Sequence, residues 1–146
     1  MTAGVGANAG TKFYIGPAGA APTSPDLWVE VGDISNLGDI MDQFTEITVE
    51  SLGSGFSYSI KGTENYPNLQ LTLNRNDSDV GQIAMKAASA ATRGTLYPFR
   101  ILDYDTGLGA VWQGEVFGFG RSYGTVNVLR SVKTSVSIRP STIVLT

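Results

Sequence analysis

Apolar and polar positions alternate strictly in the middle of the chain, over residues 68–74. The apolar side chains take one parity and neutral polar side chains take the other: Leu69, Leu71 and Leu73 against Asn68, Gln70, Thr72 and Asn74. A period of two is typical of a β-strand with one buried face. Solvent-facing strands usually carry Lys and Glu, so the neutral second face is the feature that needs an explanation.

Similar patterns predict further strands on both sides of this one. Short apolar runs indicate strands within Thr11–Pro17 and Leu27–Ile34, and Phe44–Ser51 alternates. Leu96–Gly120 indicates two strands around the turn sequence DTGLG, and Ser122–Pro140 is the longest alternating run. In that last run one parity is apolar: Val126, Val128, Val132, Val136 and Ile138. The chain is therefore predicted to be mainly β.

The sixteen residues from Leu52 to Pro67 contain glycines at positions 53, 55 and 62. They are predicted to form a long hairpin loop, with a short strand of Phe56, Tyr58 and Ile60 inside it. Connections of this length without their own secondary structure are uncommon and often functional.

One helix is predicted after the leucine strand. Asp77 or Ser78 caps it, Asp79 lies in its first turn, and Arg93 with Gly94 ends it. Its apolar stripe at helical spacing is expected to pack on a sheet: Val80, Ile83, Ala84, Ala87 and Ala91. The predicted fold is a single domain over 1–146, a β-sandwich or barrel with one helix packed on it. Residues 1–11 are expected to form a flexible arm and 140–146 a tail.

Composition removes several classes of function. The 146 residues include no cysteine and no histidine, which excludes disulfides, thiolate metal sites and the usual base of a serine nucleophile. No apolar run reaches the length of a membrane span, and no signal peptide is expected. Charge is uneven: residues 1–70 hold two basic and eight acidic groups (−6), and residues 71–146 hold eight basic and five acidic groups (+3). Such halves can attract each other between copies.

Motifs for chemistry are incomplete. Asp103, Asp105 and Gly107 resemble part of a calcium loop, as do Asp77, Asp79 and Gly81, but neither run continues to the terminal Glu. Gly118–Gly124 lacks the Lys-Ser/Thr of a phosphate loop. Two carboxylate pairs could in principle serve a glycosidase: Glu46 with Glu50, and Glu115 with Asp103. They are better explained as solvated side chains on exposed strands. Trp112 is expected in the core rather than on a sugar-binding face. No enzyme activity and no cofactor are predicted.

The run GSGFSYSIKGTENYPNLQLTLNRNDSDVGQIAMKAA resembles the tail tube (major tail) proteins of long-tailed bacteriophages and phage-like particles. The shared features are the glycine-rich hairpin, the leucine strand and the alanine-rich helix. The resemblance implies a structural virion subunit, made in the host cytoplasm, whose hexameric rings stack into a hollow tube. Each subunit would give four strands to an inner β-barrel, and 24 strands leave a bore of about 35 Å, enough for duplex DNA. The implied partners are the same chain, the tape-measure protein, the tail terminator and distal tail proteins, and DNA in passage.

Within that resemblance, parity assigns a set of neutral and acidic residues to the tube lumen, because basic clusters would hold DNA by its phosphates: Glu46, Thr48, Glu50, Gln70, Thr72, Gln113, Glu115, Ser131, Ser135 and Ser137. Lys133 and Arg139 share that parity and would pair with Glu46, Glu50 or Glu115, or lie at the ring edge. The hairpin loop over 52–64 is expected to reach neighbouring subunits and the next ring through Gly53, Ser54, Gly55, Phe56, Lys61, Gly62 and Glu64.

Two alternatives stay open. The same fold serves as the inner tube of contractile or secretion-type injection systems, which the sequence separates poorly from a phage tail tube. A carbohydrate-binding β-sandwich is the alternative from another class, and it would need an exposed aromatic platform.

Overall fold

A computed structural model describes residues 10–22, 28–53, 55–103 and 107–145. It contains one helix, α1, and eleven strands in the order β1 Lys12–Ile15, β2 Val29–Val31, β3 Ile34–Asn36, β4 Gln43–Glu50, β5 Ser57–Asn65, β6 Leu69–Asn74, α1 Val80–Ser89, β7 Tyr97–Leu102, β8 Gly109–Gly114, β9 Val116–Ser122, β10 Ser131–Val136 and β11 Val144–Leu145. Among these residues, no helix is long and apolar enough to cross a membrane.

The strands form three antiparallel sheets. Sheet A has the order β11-β8-β7-β1-β2, sheet B has the order β3-β6-β10-β9, and β4 and β5 form a two-stranded sheet, here called the ribbon. Sheets A and B pack face to face around one apolar core, with α1 against it. The prediction of a mainly β fold with one flanking helix is confirmed.

Three aromatic side chains from sheet A occupy the centre of the core. Phe13, Phe99 and Trp112 are fully buried, with ring centroids 5.8 Å apart for Phe13–Phe99 and 5.9 Å for Phe99–Trp112. Sheet B faces them with the leucines of β6, because Leu69, Leu71 and Leu73 alternate with exposed or half-buried polar residues. The core position predicted for Trp112 is confirmed.

The N-cap of the helix lies one residue after Ser78 and two after Asp77, the two predicted caps, and the helix packs mainly through a different face. Asp79 itself is the N-cap, and the helix ends at Ser89 rather than at Arg93 and Gly94. Its buried residues are Gly81, Gln82, Met85 and Ala88. The predicted apolar stripe was wrong for Val80, which is 67% exposed, and for Ile83, which is 54% exposed, whereas Ala84 packs against the core as predicted.

Close approach to β2 explains the buried face of α1. A Cβ on Gly81 would lie 2.1 Å from the Glu30 carbonyl oxygen, so only glycine lets the helix lie this close. Beside it, Gln82 is buried and donates from Nε2 to the carbonyls of Gly32 at 3.1 Å and Asn74 at 2.9 Å. Its Oε1 accepts from the Asn76 N–H at 3.1 Å. One amide side chain thus satisfies backbone groups from both sheets.

Three strand predictions need correction. The run Leu27–Ile34 is divided, because Asp33 has a φ of 60° between β2 and β3. Leu96–Gly120 contains three strands rather than two, because the chain leaves sheet A at Glu115 and continues as β9 in sheet B. In the alternating run Ser122–Pro140 only β10 forms, and Val126 is fully exposed in a turn.

The predicted hairpin loop over 52–64 is largely a strand. Its residues from Ser57 onward belong to β5, which pairs with β4 from Gln43↔Asn65 to Glu50↔Ser57. Of the tip between Glu50 and Ser57, the described residues 51–53, 55 and 56 lie outside the strands. Alternating side chains in SYSI and a β-bulge near Gly62 let the segment pair along most of its length.

Candidate assembly surface

The ribbon has one apolar face. Across the two strands Ile47 lies opposite Ile60 and Val49 lies opposite Tyr58, so the four side chains share that face. Ile47 is 46% exposed, Ile60 47% and Tyr58 58%. Contiguous exposed apolar side chains on a soluble protein mark a contact surface.

The opposite face of the ribbon is polar. Glu46 lies opposite Lys61, Thr48 opposite Ser59, and Glu50 opposite Ser57. The Ser59 hydroxyl donates to the Glu46 carboxylate, and the Lys61 ammonium lies 4.8 Å from the centre of the Phe44 ring. The predicted lumen residues Glu46, Thr48 and Glu50 therefore share one side, as parity required.

The ribbon extends from the body of the protein. Its two strands contact each other along their length, and neither belongs to sheet A or sheet B. Both outer edges of the ribbon therefore carry backbone N–H and C=O groups without strand partners in the described part of the chain. At the tip, Leu52 is fully exposed, and Gly55 has a φ of 69°, which favours glycine.

The residues predicted to contact neighbours fall on this ribbon. Gly53, Gly55 and Phe56 form its tip, whereas Lys61, Gly62 and Glu64 lie on β5. Ser54 lies outside the described residues. A Cβ on Gly62 would lie 2.8 Å from the Thr45 carbonyl oxygen, so this glycine is required by the pairing of β4 with β5. Gly62 therefore belongs to a paired strand rather than to the predicted loop.

Sheet B presents a neutral polar face away from the core. Gln70 lies opposite Ser135, and Gln70 Nε2 donates to the Ser135 hydroxyl at 3.2 Å. Thr72 lies opposite Lys133, and Ser131 opposite Asn74. Four predicted lumen residues are thus brought together on two adjacent strands: Gln70, Thr72, Ser131 and Ser135.

Lys133 is the one basic residue on this face of β6 and β10. No carboxylate of the described residues lies within salt-bridge distance of it, nor of Arg139. On the next strand Gly118 lies opposite Ser135 and Gly120 opposite Lys133. With no side chains there, the two glycines leave a shallow depression of about 340 Å³.

Three predicted lumen residues lie elsewhere. Gln113 is on the outer face of sheet A, where its Nε2 donates to the Ala20 carbonyl at 2.9 Å. Glu115 joins β8 to β9, and its carboxylate accepts from the Gly94 N–H. The Ser137 hydroxyl accepts from the Glu115 N–H at 2.8 Å. These three side chains hydrogen-bond backbone groups at the edge of the sandwich. The chain passes from sheet A to sheet B at Glu115, so the parity of β8 does not predict the facing of residues in sheet B.

The sequence did not predict the exposed apolar face of the ribbon. Alternation in β4 indicates that Ile47 and Val49 share a face, but it does not say that this face is uncovered within the chain. Nor did the sequence predict a metal site, and in the described ranges no group of acidic side chains is placed to hold one.

No protein-family model matches the sequence, and no curated protein matches it. Its fold is similar to that of a solved chain from the six-fold symmetrised baseplate of the anti-feeding prophage, with a TM-score of 0.67 and 8% sequence identity. The alignment covers 95% of this chain and 94% of that one. The likeness is one of fold. It spans nearly the whole length of both chains.

Proposed function

We propose that this chain is the structural subunit of a tail tube in a phage or phage-like particle. Six copies form a ring, rings stack into a hollow tube, and the tube encloses the tape-measure protein and later conducts DNA. The tail terminator and distal tail proteins would meet its ends. The protein would be made in the host cytoplasm and would work in the particle.

The observation that carries this proposal is the ribbon. A two-stranded sheet is marginally stable alone, and here its apolar face and both of its long edges lack partners in the described chain. A neighbouring copy supplies both: its body covers Ile47 and Ile60, and its edge strand continues the sheet. Strand β9 is an edge of sheet B and has an unpaired side for such a contact.

The similar fold supports a role in a six-fold particle. The structurally similar chain belongs to a six-fold symmetrised baseplate, and its alignment with this chain covers 95% of this chain. A ring with the same symmetry would bring six copies of sheet B and the ribbon around one axis. An inner barrel closed in this way leaves no open strand edge within the ring.

The neutral polar surfaces are consistent with a passage for DNA. The lumen set we retain joins the polar face of the ribbon to that of sheet B: Glu46, Thr48, Gln70, Thr72, Ser131 and Ser135. Glu50 ends β4 at the tip of the ribbon and is left out. Two exposed ammonium groups share these faces, Lys61 opposite Glu46 on the ribbon and Lys133 on sheet B, so this set has no run of adjacent cations that would hold phosphates. Gln113, Glu115 and Ser137 are not part of it.

A second candidate is the inner tube of a contractile or secretion-type injection system. It is favoured by the source of the similar chain, the anti-feeding prophage baseplate. The two candidates differ in whether a sheath binds the outside of the tube. Co-purification of sheath protein with assembled tubes from the producing cell would select the injection system.

Assembly of the purified chain tests the proposal. We expect six-fold rings or hollow tubes by negative-stain electron microscopy and matching large species by sedimentation velocity, with an initiator complex added if the chain remains monomeric. Ile47→Lys, on the apolar face, should abolish assembly, whereas Thr48→Lys, the adjacent residue on the polar face, should not. A chain that stays monomeric with the initiator, or an Ile47→Lys variant that assembles normally, would contradict the proposal.

A further inference from the structure

A pocket of about 390 Å³ lies between α1 and strands β9 and β10, on the core-facing side of sheet B. Ile83, Phe119 and Val132 supply its apolar wall, and its charged lining residues are Asp77, Lys86 and Arg121. Val132 is buried and Phe119 half-buried, but Ile83 is 54% exposed, although it is one of the larger apolar residues of the helix. The pocket therefore combines a partly exposed apolar wall with two cations and one carboxylate.

The charges around this pocket are held in place but not neutralised. Arg75 makes a two-point contact with Asp77, with Nε–Oδ1 at 3.1 Å and Nη2–Oδ2 at 3.0 Å. In the part of the chain that the structure describes, neither Lys86 nor Arg121 lies within salt-bridge distance of a carboxylate. The cluster keeps an excess of positive charge.

The cations near this pocket also affect the pKa of Tyr123. Its hydrogen bond with Arg121, together with the charges of Arg121 and Arg75, lowers the pKa of the phenol. Arg121, which also lines the pocket, would favour the charged form of a carboxylate placed beside it in the same way. The matching ligand has an apolar side chain next to an acid.

The ribbon tip has this composition. Leu52 is fully exposed, and Glu50, two residues before it, makes no salt bridge within the described chain. The tip belongs to the acidic half of the sequence (−6), and the pocket belongs to the basic half (+3). Since the ribbon extends from the body, its tip is available to another molecule.

We propose that this cationic pocket receives the ribbon tip of a second copy of the chain, with Leu52 against the apolar wall and Glu50 beside Lys86. Arg121 supplies the second cation for the same carboxylate. The inference rests on the proposed function, because it names the contact that joins copies in the tube. Tip and pocket are different surfaces, so the contact is heterologous and propagates rather than closing as a dimer.

Site-directed cross-linking tests the contact directly, because the chain has no cysteine of its own. Gly53→Cys places a thiol beside Leu52, where a Cβ meets no atom within 4 Å. Ala87→Cys places one on the exposed side of α1, next to Lys86. Full-length Gly53→Cys and Ala87→Cys chains are mixed and treated with a short bismaleimide, and mixed dimers are counted by mass spectrometry.

The matched control replaces Ala87→Cys with Ala18→Cys, an exposed alanine in the loop after β1. We expect mixed dimers with Ala87→Cys and background yield with Ala18→Cys. Equal yields with both, or none with either, would overturn the proposal. If the tip instead binds a different protein of the particle, neither Ala87→Cys nor Ala18→Cys would give mixed dimers.

Charge exchange then tests the chemistry. Lys86→Glu with Arg121→Glu on the receiving copy should lower the cross-link yield about tenfold, and Glu50→Lys on the donating copy should restore it. Unchanged yields in both variants would contradict the role of the charges. Failure of this inference is separable from failure of the proposed function: rings or tubes that form without the Gly53–Ala87 cross-link reject the pocket contact alone, whereas the absence of any assembly rejects both.

Discussion

Asp79 and Gly32 are joined by a hydrogen bond across 47 positions of the chain: the Gly32 N–H donates to Asp79 Oδ2 at 3.0 Å. The same oxygen accepts from the Gln82 N–H at 2.9 Å, which caps α1. One carboxylate therefore both begins the helix and ties it to the end of β2. Removing it should loosen the helix from the sandwich as well as uncap it.

Asp79→Ala should lower the free energy of unfolding by about 2–3 kcal/mol, because it removes an N-cap and leaves the Gly32 N–H unsatisfied. Urea denaturation followed by circular dichroism measures it. Ser78→Ala is the matched control: its hydroxyl bonds only Asn76, so the change should stay within about 0.5 kcal/mol. A larger loss of unfolding free energy in Ser78→Ala than in Asp79→Ala would show that Ser78 is the N-cap.

Gly81→Ala should destabilise the chain by about 1–3 kcal/mol, because the new Cβ would lie 2.1 Å from the Glu30 carbonyl oxygen and 2.4 Å from Val31 Cα. Alanine favours a helix intrinsically, so a loss of stability isolates the close approach to β2. Gly53→Ala, where a Cβ meets nothing within 4 Å, should leave the urea midpoint unchanged. An unchanged midpoint in Gly81→Ala would mean that the helix lies farther from the sheet.

Asp77 should contribute a pH-dependent part of stability. Its hydrogen bonds from Arg75 hold the pKa of the carboxyl below its ordinary value of about 3.9. Since the folded chain favours the charged form, this stabilisation is present above about pH 4 and is lost as the pH falls through the lowered pKa. Urea midpoints between pH 2.5 and 6 should therefore fall less steeply in Asp77→Asn than in the wild type. Parallel curves would rule out the contribution.

Tubes with a basic lumen should retain DNA. Gln70→Arg with Ser135→Arg places two cations on the neutral face of sheet B, and each added phosphate contact should change the slope of log K against log salt by about −0.9. Short duplexes bound inside should resist nuclease. Gln113→Arg, on the outer face of sheet A, is the control, since DNA bound there stays digestible. Digestible DNA in both variants would place the face of sheet B outside the bore.

Sequence patterns predicted the strands whose one face enters the core, because burial of Leu69, Leu71 and Leu73 is imposed by alternation itself. The patterns did not predict which face of α1 is buried, because that face is set by how closely the helix backbone approaches β2. Gly81 and Gln82 are buried in place of Val80 and Ile83, because β2 comes within contact of the helix backbone and Gln82 satisfies carbonyls of two sheets. Neither the close approach of β2 nor the hydrogen bonding of Gln82 produces a periodic pattern in the sequence.

The candidate site divides in the same way. Of the residues that parity assigned to one surface, Gln70, Thr72, Ser131 and Ser135 lie on paired strands of one sheet. Gln113 lies apart from them because β8 belongs to the other sheet, and sheet membership is not a local property. The pocket beside α1 joins residues 76 and 132, and nothing in the spacing of the sequence predicts that contact.

The isolation of the ribbon has a kinetic consequence. Two free subunits that meet must each order a ribbon before either gains a cover for Ile47 and Ile60, whereas a subunit that meets a tube end finds an ordered template. We therefore expect a lag before tubes appear, abolished by fragments of preformed tube. Growth from ends would keep filament number equal to the number of seeds. The length of each filament would then be set by whatever stops growth, rather than by the subunit.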